Sequence, residues 1–113
     1  MESQKLKDFI TTQSKFLRKY YSSADKDKLI LATVVKLSEE LGELSQEVLA
    51  HQSLQRKEKL KNHDPQNLAK EFADLIITTL ILAKWMDIDI DQALEEKIKI
   101  IKSRRNKQKK HCN

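Results

Sequence analysis

PQNLAKEFADLIITTLILAKWM, residues 65–86, is the stretch that decides the fold. Its apolar residues recur with helical spacing, and from Leu75 onward they occupy nearly every side of the helix. Asp64 as an N-cap, followed by Pro65 at the first helical position, is a strong signal for a helix start. The stretch therefore predicts a helix that ends near Met86 and is the most buried element of the chain.

Two helices are predicted before this stretch. The first covers about residues 3–21, and the second, longer one covers about residues 25–51, where apolar side chains step by three or four positions. Ser23 and Asp25 are both candidate N-caps for the second helix. The charged segment that follows it has no regular apolar pattern, which predicts a connection.

A last helix is predicted after a short turn. Asp89, with Gln92 three residues later, resembles a capping box, and an apolar stripe follows (Ile90, Leu94, Ile98, Ile101). Glycine and proline occur once each in the 113 residues, too rarely for a turn-rich β protein. The chain is therefore predicted to be all-α, an antiparallel four-helix bundle.

Length and charge indicate one domain, residues 1–106, followed by a basic tail, residues 107–113. The net charge is +5, and basic residues crowd into the end of the chain (Lys102, Arg104, Arg105, Lys107, Lys109, Lys110). Because no aromatic residues interleave with these charges, nucleic acid is not an expected partner. The single cysteine, Cys112, fits a reducing compartment, and no segment is long and apolar enough for a membrane span. A cytoplasmic location is expected.

Two acidic clusters lie within the predicted helices. Glu40 and Glu43 are three residues apart, as are Glu71 and Asp74, so each pair shares one helix face. Glu71 and Asp74 also belong to the most apolar helix, where an unpaired carboxylate is costly. Lysines of the last helix, protonation or a bound cation are three possible compensations.

A divalent cation relieves the repulsion among clustered carboxylates directly, and magnesium suits a site made only of oxygen donors. A di-iron centre normally needs Glu-x-x-His pairs. Neither acidic cluster has a histidine at that offset, which excludes that option. The pattern therefore favours a magnesium site.

At these residues the sequence resembles the MazG-like, all-α nucleoside triphosphate pyrophosphohydrolases. Their signature is E-E-x-x-E followed by E-x-x-D, and the two acidic clusters match it in order and in helical context. The resemblance implies that magnesium is bound by four carboxylates (Glu40, Glu43, Glu71, Asp74). It also implies that Glu39 is an accessory catalytic residue that orients the attacking water. The implied reaction is hydrolysis of a nucleoside triphosphate to the monophosphate and pyrophosphate.

The resemblance extends to the last helix in part. Family members often carry a lysine there, then an asparagine four residues on and an arginine three residues later. Lys97 and Arg104 match and are the implied ligands of the substrate phosphates, but Ile101 stands where the asparagine is expected. Solvent-facing charges near a helix end are the alternative interpretation of the two basic residues.

Two further expectations concern assembly and packing. The apolar third helix needs more covering surface than a small bundle provides, which favours a homodimer or homotetramer. Gly42, inside a helix, suggests close approach of another helix or of substrate, and Trp85 is expected in the core or at a subunit contact. The alternatives to this enzyme are a non-catalytic helical binding module and a phosphoribosyl-ATP pyrophosphohydrolase.

Overall fold

The computed structural model describes residues 4–52 and 65–112, which form helices joined by short turns. The helices are α1 (Gln4–Tyr20), α2 (Lys26–His51), α3 (Pro65–Trp85) and α4 (Ile90–Cys112). These ranges contain no strand, so the predicted all-α class is confirmed, with helix ends within one or two residues of expectation. The connection after α2 and the N-cap Asp64 lie outside the described residues.

Aspartate caps fix the starts of two helices. The Asp25 carboxylate accepts a hydrogen bond from the backbone N–H of Lys28 at 2.8 Å, which makes it the N-cap of α2. Asp89 accepts in the same way from the backbone N–H of Gln92 at 3.1 Å. The Gln92 side chain donates to Glu96 at 3.4 Å, so only one half of the predicted capping box forms. Each cap satisfies a backbone donor that the first helical turn leaves unpaired.

The core brings together three helices. Ile10 of α1, Leu29 of α2, and Ile81 and Trp85 of α3 form one buried cluster. A buried indole N–H needs an acceptor, and Trp85 Nε1 donates to the Ser14 backbone carbonyl at 3.3 Å. The expected packing role of Trp85 is therefore confirmed, and its hydrogen bond joins α3 to α1.

α3 packs against both α1 and α2. Leu29 near the start of α2 meets Ile81 and Trp85 near the end of α3. The start of α2 therefore lies against the end of α3, and the acidic positions in the middle of α2 face the first half of α3.

The turn after α3 is built around Asp87, which has a left-handed backbone with φ of 56°. The backbone N–H of Ile88 donates to the Ala83 carbonyl at 3.0 Å, and that of Asp87 donates to the Lys84 carbonyl at 3.2 Å. This pair of bonds is a Schellman motif, a helix ending in which glycine normally takes the left-handed position. The aspartate tolerates that position at some cost in strain.

α4 extends away from the other helices. Residues 92–109 are all exposed, and its apolar stripe is about half exposed. The radius of gyration is 18.3 Å, whereas a compact domain of this length has one of about 13 Å. Lys7 of α1 forms an ion pair with Asp91 that holds the start of α4. The antiparallel four-helix bundle therefore stays a prediction, since only α1, α2 and α3 pack closely in the single chain.

α3 holds the largest number of buried residues among the described helices (Thr78, Ile81, Ala83, Trp85). Phe72 and Ile76, on another side of the same helix, are about half exposed. The prediction that this is the most buried helix is therefore confirmed among the described helices, although this side of α3 is exposed in the single chain. Across the described ranges, no helix has the length and apolar character needed to cross a bilayer.

Candidate metal centre

Three carboxylates from two helices meet where α2 lies against α3. Glu40, Glu43 and Glu71 each place one carboxylate oxygen within 4.8 Å of the others. Glu40 and Glu43 share a face of α2 because they are three residues apart, and the α2–α3 packing brings Glu71 opposite them. The structure thus brings together three of the four predicted ligands.

Asp74 lies beside this group. Burial is the main cause of a raised pKa at Glu40, and the negative charge of Asp74 is the next largest. Burial also raises the pKa of Glu71, with smaller contributions from the charges of Glu43, Glu40 and Asp74. Each cause disfavours the ionised carboxylate. We call these four residues the acidic cluster (Glu40, Glu43, Glu71, Asp74).

Two oxygens of the acidic cluster are buried without a hydrogen-bond partner. Glu40 Oε2 and Glu71 Oε2 are buried and accept no hydrogen bond. A buried carboxylate oxygen without a donor or cation is costly. Within the described residues no ion pair reaches Glu40, Glu43 or Glu71, whereas ion pairs join Lys7 to Asp91 and Lys26 to Asp87. The described lysines of α4 therefore do not compensate these carboxylates in the single chain, and protonation and a bound cation are the other two compensations that the sequence suggested.

The donor set fits a hard divalent cation. All the converging atoms are carboxylate oxygens, and magnesium and calcium prefer oxygen ligands. Zinc and iron centres usually include nitrogen or sulfur ligands as well. A cation would satisfy both orphaned oxygens and remove the repulsion at once. A cavity of about 610 Å³ lies elsewhere, between α1 and the α3–α4 turn, and contains none of the four carboxylates. Charge and burial, rather than concavity, therefore identify the site.

The remaining predicted site residues are placed differently. Glu39 is exposed on α2 next to Glu40, and its charge adds slightly to the raised pKa of Glu40. Lys97 and Arg104 lie on the exposed part of α4, and in the described part of the chain no hydrogen bond or ion pair joins them to the acidic cluster. Their role as phosphate ligands stays a prediction.

Lys36 is a nearby residue to which the sequence pattern had assigned no role. It lies four residues before Glu40, and its positive charge lowers the pKa of Glu40, against the main trend. Spacing of i and i+4 on one helix is the signal that identifies it. Lys36 is the basic residue of α2 that offsets part of the negative charge.

Gly42 departs from expectation. A Cβ added at this glycine would meet no atom of the described chain within 4 Å, so close approach of another helix is wrong for the single chain. The glycine leaves open space on α2 at a position about 100° around the helix from Glu43 and about 160° from Glu40. Space for substrate or for another subunit is the explanation that remains.

The class of protein is therefore all-α, with carboxylates that converge from two long helices without histidine or cysteine and form a candidate site for a divalent cation. The model of the MazG nucleotide pyrophosphohydrolase domain matches residues 30–109, and the chain belongs to this family. The match covers both halves of the acidic cluster and most of α4. Members of the family are typically metal-dependent hydrolases of acid anhydrides. No curated protein and no solved structure is significantly similar to the chain.

Proposed function

We propose that the protein is a magnesium-dependent pyrophosphohydrolase that converts nucleoside or deoxynucleoside triphosphates to the monophosphate and pyrophosphate. The observation that carries the proposal is the convergence of Glu40, Glu43 and Glu71 within 4.8 Å, with two buried oxygens lacking partners. Membership of the nucleotide pyrophosphohydrolase family supplies the class of reaction.

In this proposal the acidic cluster holds the metal ion, and Asp74 completes the set of ligands. Magnesium, when bound, supplies positive charge that neutralises phosphate oxygens. The carboxylates themselves fix where the triphosphate can bind, because a polyanion is repelled from this surface until the negative charge is compensated. Lys36 reduces that repulsion beside Glu40.

Glu39 is the proposed proton acceptor. It is exposed next to Glu40, where a carboxylate can orient a water molecule and accept its proton during attack. The water oxygen forms a bond to the α phosphorus, the bond from that phosphorus to the bridging oxygen breaks, and pyrophosphate leaves with the bonding electrons. Lys97 and Arg104 are proposed to bind the phosphates, which requires that α4 of another subunit, or a repositioned α4, reach the acidic cluster.

A homodimer or homotetramer is part of the proposal. Exposed apolar side chains lie on α2 (Leu31, Val34, Val35, Leu41, Leu49), on α3 (Phe72, Ile76) and along α4 (Leu94, Ile98, Ile100, Ile101). Apolar surface on three helices is more than a small monomer normally leaves in water. Removal of non-canonical nucleotides from a cytoplasmic pool is the proposed role, and phosphoribosyl-ATP is the alternative substrate.

The test is pyrophosphate release from a panel of nucleoside triphosphates and phosphoribosyl-ATP, with magnesium and with EDTA. We expect metal-dependent release by the wild type, and a loss of at least 100-fold in Glu40→Gln and Asp74→Asn, on the order of the effect of removing a charge-stabilising group. Glu95→Gln on exposed α4 is the matched control and should keep full activity. Release that persists in EDTA, or no release from any substrate, would overturn the proposal and favour a binding module.

A further inference from the structure

The exposed apolar surface of α1 differs in kind from that of the other helices. Phe9, Phe16, Tyr20 and Tyr21 are 45%, 56%, 68% and 48% exposed, and every large apolar side chain exposed in residues 4–28 is aromatic. On α2, α3 and α4 the exposed apolar side chains are aliphatic apart from Phe72. Aliphatic faces are suited to packing against another copy, whereas aromatic rings also offer flat π surfaces.

Three of these rings form a contiguous group at the end of α1, which we call the aromatic cluster (Phe16, Tyr20, Tyr21). The Phe16 and Tyr20 rings are stacked with centroids 5.9 Å apart and an interplanar angle of 26°. Tyr20 and Tyr21 meet edge to face at 4.8 Å. Arg18 donates to the Ala24 carbonyl at 3.0 Å and holds the turn that follows. The rings are therefore presented on an ordered helix end.

Basic residues interleave with the rings. Lys15 precedes Phe16, and Lys19 lies between Phe16 and Tyr20, both exposed. Residues 15–28 contain five basic and two acidic residues, and one of the acidic residues, Asp25, is engaged as a helix cap. Bases stack on aromatic side chains while phosphates contact lysine and arginine in proteins that bind single strands. The basic end of α4 lacks this interleaving, and α1 has it.

We propose that the aromatic cluster, with Lys15 and Lys19, binds single-stranded nucleic acid, by stacking of bases on the exposed rings and contact of phosphates with the two lysines. The polyanion complements the positive charge of this surface. An anionic membrane surface is the competing partner, because the apolar face of an interfacial helix also carries phenylalanine. Leu17, the aliphatic residue of this segment, is not among its exposed side chains, so this end of α1 presents flat rings and not an aliphatic face. The proposal is independent of the pyrophosphohydrolase site, since none of its residues belongs to the acidic cluster.

The experiment measures fluorescence anisotropy of a labelled oligothymidylate mixed with the full chain, in magnesium-free buffer at several salt concentrations. We expect binding that weakens as the salt concentration rises. We also expect that Phe16→Ala and Tyr20→Ala each raise Kd about 5- to 150-fold, because each removes the ring on which one base stacks. Tyr20→Trp should restore binding. Phe72→Ala, an exposed aromatic of α3, is the matched control and should bind like the wild type.

Further measurements separate this proposal from its competitors. The double variant Lys102→Gln, Lys107→Gln tests the basic end of α4. If this variant lost oligothymidylate binding while Tyr20→Ala kept it, the proposal would be overturned. The proposal would also be overturned if the chain bound anionic vesicles and not oligothymidylate, and if Tyr20→Ala abolished that vesicle binding. A third contrary result would be that the aromatic substitutions change only the oligomeric state. Pyrophosphate release should be unchanged in Tyr20→Ala, so failure of either proposal is visible without the other.

Discussion

Replacing Glu40 by glutamine is expected to stabilise the metal-free fold and to remove its stabilisation by magnesium. Glu40 Oε2 is buried without a partner, and the carboxylates of Glu43 and Glu71 lie within 4.8 Å of that of Glu40. Glutamine keeps the size of the side chain and removes the charge. Without a cation, the substitution therefore relieves the repulsion among the carboxylates. With a cation bound, it removes one of the proposed metal ligands.

The magnitude follows from Coulomb's law. Two unit charges separated by the 4.8 Å limit of the cluster repel by about 0.9 kcal/mol in water and by about 3.5 kcal/mol at an effective dielectric constant of 20. Because the cluster is partly exposed, solvent screening favours the lower figure. We expect a gain of about 1 kcal/mol in the free energy of unfolding, which raises Tm by about 4 °C in a domain of this size.

The assay is thermal unfolding followed by circular dichroism, in EDTA and in magnesium, at one protein concentration. At a free magnesium concentration 100 times Kd, the wild type gains about 2.7 kcal/mol, because the ion binds only the folded state. Glu40→Gln should gain far less, so the order of the two Tm values reverses on adding magnesium. Glu95→Gln should follow the wild type in both buffers.

Two results would refute this reasoning. A lower Tm for Glu40→Gln than for the wild type in EDTA would show that the carboxylate is compensated within the protein. An equal magnesium-induced shift in the two proteins would show that the ion binds elsewhere.

Three further predictions concern pH, the core and the α3–α4 turn. The pKa values of Glu40 and Glu71 are raised above 4.5 in the fold, so the metal-free fold binds more protons than the unfolded chain. The resulting stability is fully present below pH 4.5 and is lost as pH rises through the raised pKa values. Urea midpoints in EDTA should therefore fall over that range, and they should fall less in Glu40→Gln, in which only Glu71 keeps a raised pKa. Trp85→Phe removes the hydrogen bond to the Ser14 carbonyl and should lower the free energy of unfolding in urea by about 1–3 kcal/mol. A change near zero would show that water replaces the indole as the hydrogen-bond donor. Asp87→Gly should raise stability by about 1 kcal/mol, because glycine has no Cβ to oppose the positive φ of 56°. Asp87→Asn, which also tolerates this backbone, should be near neutral.

Local signals determined much of what the sequence predicted correctly. Asp25 and Asp89 are short side chains that accept from nearby backbone donors, so their positions fix the starts of α2 and α4 without reference to the rest of the fold. The spacing of Glu40 and Glu43 likewise follows from helix geometry alone. The meeting of these residues with Glu71 depended on the correct pairing of α2 with α3, which the family resemblance supported.

The exposure of apolar surface was not predictable in the same way. An apolar stripe such as that of α4 indicates that something covers it, but periodicity carries no information about whether the cover belongs to the same chain. The exposure of Phe72 and Ile76 was unpredictable for the same reason. The left-handed Asp87 was missed because the usual signal for such a helix ending is glycine, and aspartate at this position is indistinguishable in sequence from an ordinary turn residue.

The position of the acidic cluster along α3 has a consequence for how readily this protein acquires new substrates. Glu71 lies fourteen positions before Trp85, which corresponds to about 21 Å along a helix. Side chains that anchor the hydrophobic interior and those suited to chemistry therefore occupy opposite ends of one rod. Substitutions around the proposed metal site therefore leave the buried contacts of Trp85 in place, so the proposed site can change during evolution without loss of those core contacts.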